Sequence, residues 1–156
     1  MKLLQMRLKN LNSFKSEVHL NFEGEPLNDA TLLAITGPTG SGKTTLLDAL
    51  CVALYNKTPR LGGKGNKSSV NLLRQGSNEG FSEVLFEANG KRYLCEWIVK
   101  RNKKGDFTQS AKLIYADTEK LITDRLTPRK DAEELEDMSV EGAVTKILGL
   151  DFSAFN

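Results

Sequence analysis

The residues from Gly37 to Thr44 have the types and spacing best suited to chemistry, since they read Gly-Pro-Thr-Gly-Ser-Gly-Lys-Thr. They fit the pattern G-x-x-x-x-G-K-[ST] of a phosphate-binding loop at every fixed position. Glycines in such a loop let the backbone turn its N–H groups toward phosphate oxygens without side chains in the way. We therefore predict that this segment binds the phosphates of a nucleotide.

The positions at the end of the pattern have individual predicted tasks. A helix that begins beside Gly42 would direct its positive end at the β-phosphate. Lys43 is the predicted catalytic residue, because its ammonium can span the β- and γ-phosphates, and the Thr44 hydroxyl is the predicted ligand of Mg²⁺. The predicted nucleotide-binding residues of this segment are Gly37, Pro38, Thr39, Gly40, Ser41, Gly42, Lys43, Thr44 and Thr45.

The elements on either side of the loop are those that its function requires. Residues 31–36 are mostly apolar and do not alternate, which predicts a strand that is buried on both faces and ends just before the loop. The sequence after the loop predicts an apolar helix that ends near Asn56, before Pro59. Its helically spaced apolar residues are Leu46, Leu47, Ala49, Leu50, Ala53 and Leu54. This order of elements argues against a chance match to the pattern.

Most of the remaining sequence predicts antiparallel strands, through alternation of apolar and polar residues. His19 falls on the outward face of one of them, where a surface role is favoured over a catalytic one. Asn89-Gly90 is typical of a tight hairpin turn, and residues 102–105 predict a second turn. Residues 56–69, which are rich in Pro, Gly and basic residues, predict a loop, followed by a short helical turn over 70–74. The predicted strands span residues 2–9, 17–22, 81–88, 92–99 and 111–116.

The end of the sequence predicts helix from Arg129 onward. Ser139 is suited to cap a helix with an apolar face, and Gly149 is suited to end it. Phe152 and Phe155 are predicted to be exposed, which would limit solubility. Together these elements predict an α/β fold in a single domain over residues 1–156, with an antiparallel β appendage beside one strand–loop–helix unit.

Composition agrees with one globular domain and excludes some other classes. Of the 156 residues, 39% are hydrophobic and 27% are charged, with a net charge of +2, so the overall charge does not predict nucleic-acid binding. Cys51 and Cys95 lack metal-ligand spacing and are expected to be small buried hydrophobic residues. No stretch predicts a signal peptide or a membrane helix, so we expect a cytoplasmic protein without membrane contact.

Hydrolysis needs a further part, an acidic residue that ends a second strand and serves the metal and the attacking water. The sequence has no run of four apolar residues followed by Asp-Glu. The nearest candidates are Glu87, after residues 84–86, and Asp117, after residues 113–116, and both are better explained as surface carboxylates at strand ends. We therefore expect only half of a catalytic site in this chain.

Several segments together resemble one family, the SbcC proteins, which are the SMC-like ABC ATPase components of the SbcCD nuclease complex. The resemblance covers nearly the whole chain and is densest over residues 1–61. The segments are residues 8–14 (LKNLNSF), 34–49 (AITGPTGSGKTTLLDA), 54–61 (LYNKTPRL) and 149–152 (GLDF).

This resemblance implies a P-loop NTPase of ABC/SMC type that uses ATP and Mg²⁺, with this chain as the N-terminal half of its head. In the family, two heads sandwich two ATP molecules, and a long coiled coil separates this segment from a C-terminal one that holds the signature motif and the acidic strand. The chain stops at Asn156, where the family's next helix would carry a glutamine that senses the γ-phosphate. The implied partners are the C-terminal half of the same head, a second copy of the head, an SbcD-type metallophosphoesterase nuclease and double-stranded DNA, in a nucleoid-associated location.

The turn after the first strand departs from the family. Members often carry an arginine that contacts nucleotide at the position of Asn12, and Asn12 cannot supply that charge. Asn12 and Ser13 are nevertheless candidate nucleotide-binding residues, with Lys15 as a neighbour of the base or phosphates. The alternative is a plain turn.

Two basic clusters could neutralise DNA phosphates, although each could equally be a solvated loop or hairpin tip. Two functions are compared: an ATPase head whose ATP-driven dimerisation gates a nuclease acting on DNA ends and hairpins, and an SMC-like DNA-tethering ATPase of chromosome organisation without a nuclease. The antiparallel start and the basic loop argue against a third, a transporter ATPase. The clusters are Lys57, Arg60, Lys64 and Lys67 in the loop, and Lys100, Arg101, Lys103 and Lys104 at the second hairpin.

Overall fold

The computed structural model describes residues 1–28, 30, 33–59 and 67–155, and within them six strands form one antiparallel sheet. Neighbouring strands follow the order β2-β1-β3-β4-β5-β6. The strands are β1 (Lys2–Lys9), β2 (Val18–Asn21), β3 (Glu79–Ala88), β4 (Lys91–Arg101), β5 (Phe107–Tyr115) and β6 (Lys120–Thr123). The helices are α1 (Lys43–Tyr55), α2 (Lys67–Val70), α3 (Val140–Leu148) and α4 (Phe152–Phe155).

Strict alternation along the central strands decides which face of the sheet is buried. In β1 the side chains of Leu4, Met6 and Leu8 are buried, and Val84 and Phe86 of β3 belong to the same core. Helices α1 and α3 cover this face, and the Ser82 hydroxyl donates to the carbonyl oxygen of Ala49 in α1, 2.8 Å away. The sheet therefore fixes the position of α1, and with it the end of the predicted phosphate-binding loop.

The local turns follow the sequence prediction. Asn89 and Gly90 both have positive φ, 52° and 71°, as a two-residue turn between β3 and β4 requires. The predicted N-cap and C-cap of α3 are also confirmed, since the Ser139 hydroxyl accepts from the Gly142 N–H and Gly149 is left-handed. These turns and caps set the lengths of the hairpin and of α3.

The helix predicted from Arg129 is wrong for residues 129–138, which form turns. Asp131 has φ 57°, outside the helical range, and the carboxylate of Asp137 pairs with Arg129 at 2.8 Å. Leu135 and Met138 of this segment pack partly buried against the core. With so few of its residues buried, helix formation would gain little from packing. The sequence does not predict β6, and the helix predicted over 70–74 lies earlier, as α2.

The predicted buried strand before the loop is also wrong within the described part of the chain. Residues 33–36 form no strand, and Leu33 and Ile35 are 40% and 49% exposed. A strand needs hydrogen-bonding neighbours, and the antiparallel sheet of this chain places none of its described strands beside this run. Residues 31 and 32 lie outside the described residues, as do 60–66 of the predicted basic loop.

The end of the chain packs more closely than the sequence suggests. The sequence predicts an exposed Phe152, but its ring is half-buried with its centroid 5.9 Å from that of Tyr55. The Tyr55 hydroxyl donates to the Leu150 carbonyl oxygen at 3.1 Å. These contacts fasten α4 to the last turn of α1. The side chain of Phe155 lies outside the described part of the structure.

Both cysteines are buried, as predicted, and we expect them to resist alkylation in the folded chain. Cys51 is 4% exposed, and burial, with a smaller contribution from Asp48, raises the pKa of its thiol to about 11. Burial also raises the pKa of Cys95. With this pKa, about one Cys51 thiol in a thousand is ionised at pH 8. Alkylation should therefore be slow, because the thiolate is the reactive form. Iodoacetamide labelling followed by mass spectrometry should show at least tenfold slower reaction than in urea, and equal rates would contradict the burial.

Candidate nucleotide-binding site

The predicted phosphate-binding segment forms an exposed loop that runs directly into α1. Residues 33–41 are exposed and include no helix or strand, and α1 begins at Lys43. Gly40 and Gly42 have φ of 83° and 94°, a conformation that side chains other than glycine adopt at a cost. The first N–H groups of a helix lack intrahelical acceptors, so the loop ends in donors suited to an anion.

The turn after β1 packs against the point where the loop becomes helix. A Cβ atom added to Gly42 would lie 2.8 Å from Cζ of Phe14 and 3.5 Å from the Cβ of Ser13. Gly42 is therefore required both by its φ and by the close approach of the turn. The contact brings the candidate Ser13, predicted from the resemblance, beside the loop.

The ammonium of Lys43 lies within the loop. Its Nζ atom donates to the carbonyl oxygens of Gly37 and Pro38, both at 2.7 Å, and lies 3.5 Å from the Ser41 hydroxyl oxygen. The long side chain thus folds back over the backbone that precedes it. The loop carries a positive charge at the place where the pattern requires one for phosphate.

The two threonines after Lys43 differ in which of their groups a ligand can reach. Thr44 is exposed, so its hydroxyl is accessible to a metal, whereas Thr45 is 3% exposed and can contribute only its backbone N–H. The described residues contain no group of three or more His, Cys, Asp or Glu side chains that could hold a metal ion by themselves. These residues would fit Mg²⁺ only as a companion of bound phosphate, with Thr44 as the candidate ligand from this chain.

A polar groove lies beside the turn after β1. Asn12 stabilises the turn and has a positive φ of 39°. Its backbone N–H donates to the Leu72 carbonyl oxygen. Its own carbonyl oxygen accepts a hydrogen bond from Nη1 of Arg74 at 2.8 Å. The groove has a volume of about 600 Å³ and is lined by Asn12, Ser13, Arg74, Gln75 and Gly76. Sequence reasoning missed Arg74, because its link to Asn12 spans 62 positions and no local pattern marks it.

A family described as AAA domain matches residues 5–152. The matched range includes the whole loop, the turn and α1. The chain belongs to this AAA-domain family.

The relatives of this AAA-domain chain include SbcC proteins, each named as the C component of the nuclease SbcCD. It is 45% identical to that of Pseudomonas aeruginosa over 117 residues, covering 66% of this chain and 10% of that protein. It is 33% identical to that of Deinococcus radiodurans over 158 residues, covering 99% of this chain and 15% of that protein. It is 26% identical over 156 residues to a probable DNA double-strand break repair Rad50 ATPase of Aquifex aeolicus, covering 99% of this chain and 14% of that protein.

These similarities confirm the resemblance to the SbcC family. The chain spans no more than about 15% of the length of these curated relatives. Among solved structures, the SMC head domain from Thermotoga maritima superposes with a TM-score of 0.48 at 22% identity, covering 71% of this chain and 37% of that one.

Both acidic residues considered for hydrolysis lie far from the loop of the AAA-domain chain. Glu87 pairs with Lys2 across β1 and β3, whereas Phe81 pairs with Lys9, next to the turn that packs on Gly42. Six strand residues at about 3.3 Å each put Glu87 roughly 20 Å from that turn. Asp117 is exposed and follows Tyr115, which pairs with Tyr93 at the same distant end of the sheet. Neither carboxylate can serve a metal at Thr44.

The two basic clusters differ in their position and in whether their side chains are already paired within the chain. Lys57 forms a salt bridge with Glu141 and lies over the ring of Phe152, while residues 60–66 of that cluster are outside the described part of the chain. The second hairpin is at the same end of the sheet as the loop, because Lys100 pairs with Glu79 in register and the Glu79 carbonyl oxygen accepts from the Asn10 side chain. Its residues Lys103 and Lys104 are exposed.

In the part of the chain that the structure describes, no helix is both long and apolar enough to cross a bilayer.

Proposed function

We propose that the chain is the ATP-binding segment of an SbcC-type DNA-repair ATPase, whose ATP-driven dimerisation gates a partner nuclease acting on DNA ends and hairpins. The observation that carries the proposal is the position of Lys43, whose ammonium contacts the loop carbonyls at 2.7 Å beside the N-terminus of a 13-residue helix. A positive charge and unpaired helix N–H groups together suit the β- and γ-phosphates of ATP.

Different residues of this chain contact different parts of the proposed MgATP. Lys43 exchanges its carbonyl contacts for phosphate oxygens, and the backbone N–H groups of the loop and the first turn of α1 donate to the same phosphates. The exposed Thr44 hydroxyl is the ligand for Mg²⁺, which neutralises charge on the phosphates when bound. Ser13 and Asn12 border the site from the turn.

We propose further that residues 1–156 are the N-terminal half of a head that needs its C-terminal half for hydrolysis. Leu33 and Ile35 are apolar and exposed immediately before the loop, and Leu47 is 49% exposed on α1. A strand from the other half, pairing with residues 33–36, would cover this apolar run and satisfy its backbone. The same half would supply the carboxylate that Glu87 and Asp117 are too distant to provide.

The remaining partners follow from the names of the relatives and from the basic hairpin. A second copy of the head would close over the nucleotide, and an SbcD-type metallophosphoesterase would carry the nuclease chemistry. Double-stranded DNA would contact the hairpin formed by residues 100–104, since exposed lysines there lie at the nucleotide end of the sheet. We propose a nucleoid-associated location in the cytoplasm, which would bring this hairpin to DNA.

The proposal is tested by ATP turnover with purified segments. We expect the 156-residue chain alone to release phosphate no faster than its Lys43→Ala variant, and the chain mixed with the C-terminal segment of its own protein to hydrolyse ATP. Turnover by the chain alone, above the variant, would contradict the half-site. A native complex that lacks any metallophosphoesterase would contradict nuclease gating and favour a DNA-tethering role.

A further inference from the structure

We propose that Glu83 and Glu96 hold one proton between them, and that loss of this proton as the pH rises destabilises the sheet. The two residues lie directly opposite each other in the antiparallel register of β3 and β4. They belong to the face of the sheet that is turned away from the core and from α1. The inference therefore does not depend on the proposed nucleotide site.

The strand register brings the two carboxyl groups together. In both strands the residues on either side of the glutamate are buried, so alternation directs Glu83 and Glu96 to the opposite face. Residues directly opposite each other in an antiparallel pair have Cβ atoms about 4.5–5.5 Å apart. Two carboxyl groups at such positions can form an O–H···O hydrogen bond when one of them carries a proton, whereas two carboxylates repel each other.

Two cations flank the pair, one on each side, and a third carboxylate competes for one of them. Nη1 of Arg7 lies 2.8 Å from a carboxylate oxygen of Glu83, and Nζ of Lys112 lies 2.8 Å from one of Glu96. Nη2 of Arg7 also pairs with Glu17, at 2.7 Å. This row of ion pairs thus contains three carboxylates and two cations, so one bound proton balances its charges.

Apolar residues on both sides of the row limit the access of water to the pair. Phe81 and Ile98 are opposite each other on one side, and Leu85 and Leu94 are opposite each other on the other side. The side chains of the two glutamates are only 17% and 16% exposed. Removal from water disfavours the charged form of a carboxyl group, so these surroundings favour retention of a proton.

The same surroundings raise the pKa of the Glu83 carboxyl above its ordinary value. Burial is the largest cause, and the positive charge of Arg7 opposes it. The hydrogen bond with Glu96 and the negative charge of that residue raise the pKa further, while Lys112 lowers it. By contrast, the pKa of Glu17 in the same row is lowered, chiefly by its hydrogen bond with Arg7. The retained proton therefore belongs to the opposed pair.

Other ionisable groups on this face lie farther from the pair. His19 is in the same row but on β2, beyond Arg7, where its Nε2 atom lies 3.2 Å from the side-chain oxygen of Gln5. The others lie at least one row away along the strands, and they are Lys9 of β1, Glu79 and Glu87 of β3, and Arg92 and Lys100 of β4. The ion pairs nearest to the pair are therefore those of Arg7 and Lys112.

A raised pKa in the folded chain makes the stability fall as the pH rises. Between the ordinary pKa of a glutamate, about 4.3, and the raised pKa of Glu83, the folded chain binds the proton and the unfolded chain does not. The stabilisation is complete below the ordinary pKa and is lost as the pH rises through the pKa of the folded state. Above that pH the proton passes to water and both carboxylates are ionised.

The test compares the pH dependence of thermal unfolding in three glutamine variants of the chain. Glu83→Gln and Glu96→Gln each imitate a permanently protonated carboxyl, and Glu17→Gln is the matched control, because it removes a carboxylate of the same row outside the opposed pair. We expect Glu83→Gln to raise Tm by about 2–4 °C at pH 8 and by no more than half as much at pH 5. Glu96→Gln should show the same trend, and Glu17→Gln should raise Tm at neither pH.

Carboxyl NMR follows the proton itself and does not depend on unfolding. The side-chain carboxyl carbon of Glu83, assigned from its absence in Glu83→Gln, should titrate in the wild type with a midpoint above about 4.3, and lower in Glu96→Gln than in the wild type. A wild-type midpoint at or below that value would overturn the inference. So would a Tm of Glu83→Gln that does not exceed the wild-type value at pH 8, or an excess that is equal at both pH values. If a variant does not fold, the wild-type midpoint decides.

Discussion

Replacing Lys43 with alanine is expected to weaken ATP binding by about a hundredfold or more and to leave the fold intact. The ammonium already lies within the loop, where it can form charge-assisted hydrogen bonds to two phosphates. Such bonds contribute about 1.5–3 kcal/mol each, and each 1.4 kcal/mol is about a factor of ten in Kd. Calorimetric titration with ATP and Mg²⁺ measures the loss.

The fold is expected to survive because the acceptors of Lys43 belong to an exposed loop and its side chain is absent from the core. The unfolding temperature should change by no more than about 2 °C, as is usual for surface substitutions. Lys100→Ala is the matched control, since Lys100 is exposed and its nearest carboxylate, on Glu79, is 3.9 Å away. Equal ATP affinities in the two variants would refute the assignment of the site.

Gly42→Ala is expected to abolish measurable ATP binding and to destabilise the chain by more than the same change at Gly40. Both glycines have left-handed φ, which costs an alanine about 1–2 kcal/mol. Only at Gly42 would the new Cβ also lie 2.8 Å from the Phe14 ring. Either the turn or the start of α1 has to move, and both border the phosphate site.

Urea denaturation of the two variants isolates the packing contribution, because a Cβ atom at Gly40 meets nothing within 4 Å. The double variant Gly42→Ala/Phe14→Leu should recover part of the difference, since leucine leaves room where the ring was but does not relieve the φ strain. Equal destabilisation at the two glycines would show that the turn after β1 does not pack against Gly42 in solution.

Local features of the chain could be predicted from the sequence because the residues involved are close in sequence. The loop pattern, the extent of α1, the Asn89-Gly90 turn and the caps of α3 all depend on backbone preferences within a few positions. The buried faces of the central strands were predictable for the same reason, since alternation with a period of two needs no knowledge of the partner strand.

Features that depend on a distant partner could not be predicted in this way. The apolar run ending at Thr36 has the composition of a buried strand, yet burial requires neighbours on both sides, and residues 33–36 have none among the described strands. Phe152 shows the reverse error, because the sequence predicts an exposed ring whereas the structure packs it against Tyr55, far earlier in the chain.

The candidate site shows the same division. The types and order of residues 37–44 alone predict where phosphate would bind, because the chemistry of such a loop depends on its own backbone and Lys43. Only the tertiary structure decided what lies beside it. The pairing of β1 with β3 brings Arg74, just before β3, to Asn12, just after β1, and moves Glu87 to the far end of the sheet. Antiparallel register, which no short pattern encodes, thus determines which charged groups lie near the loop and which lie far from it.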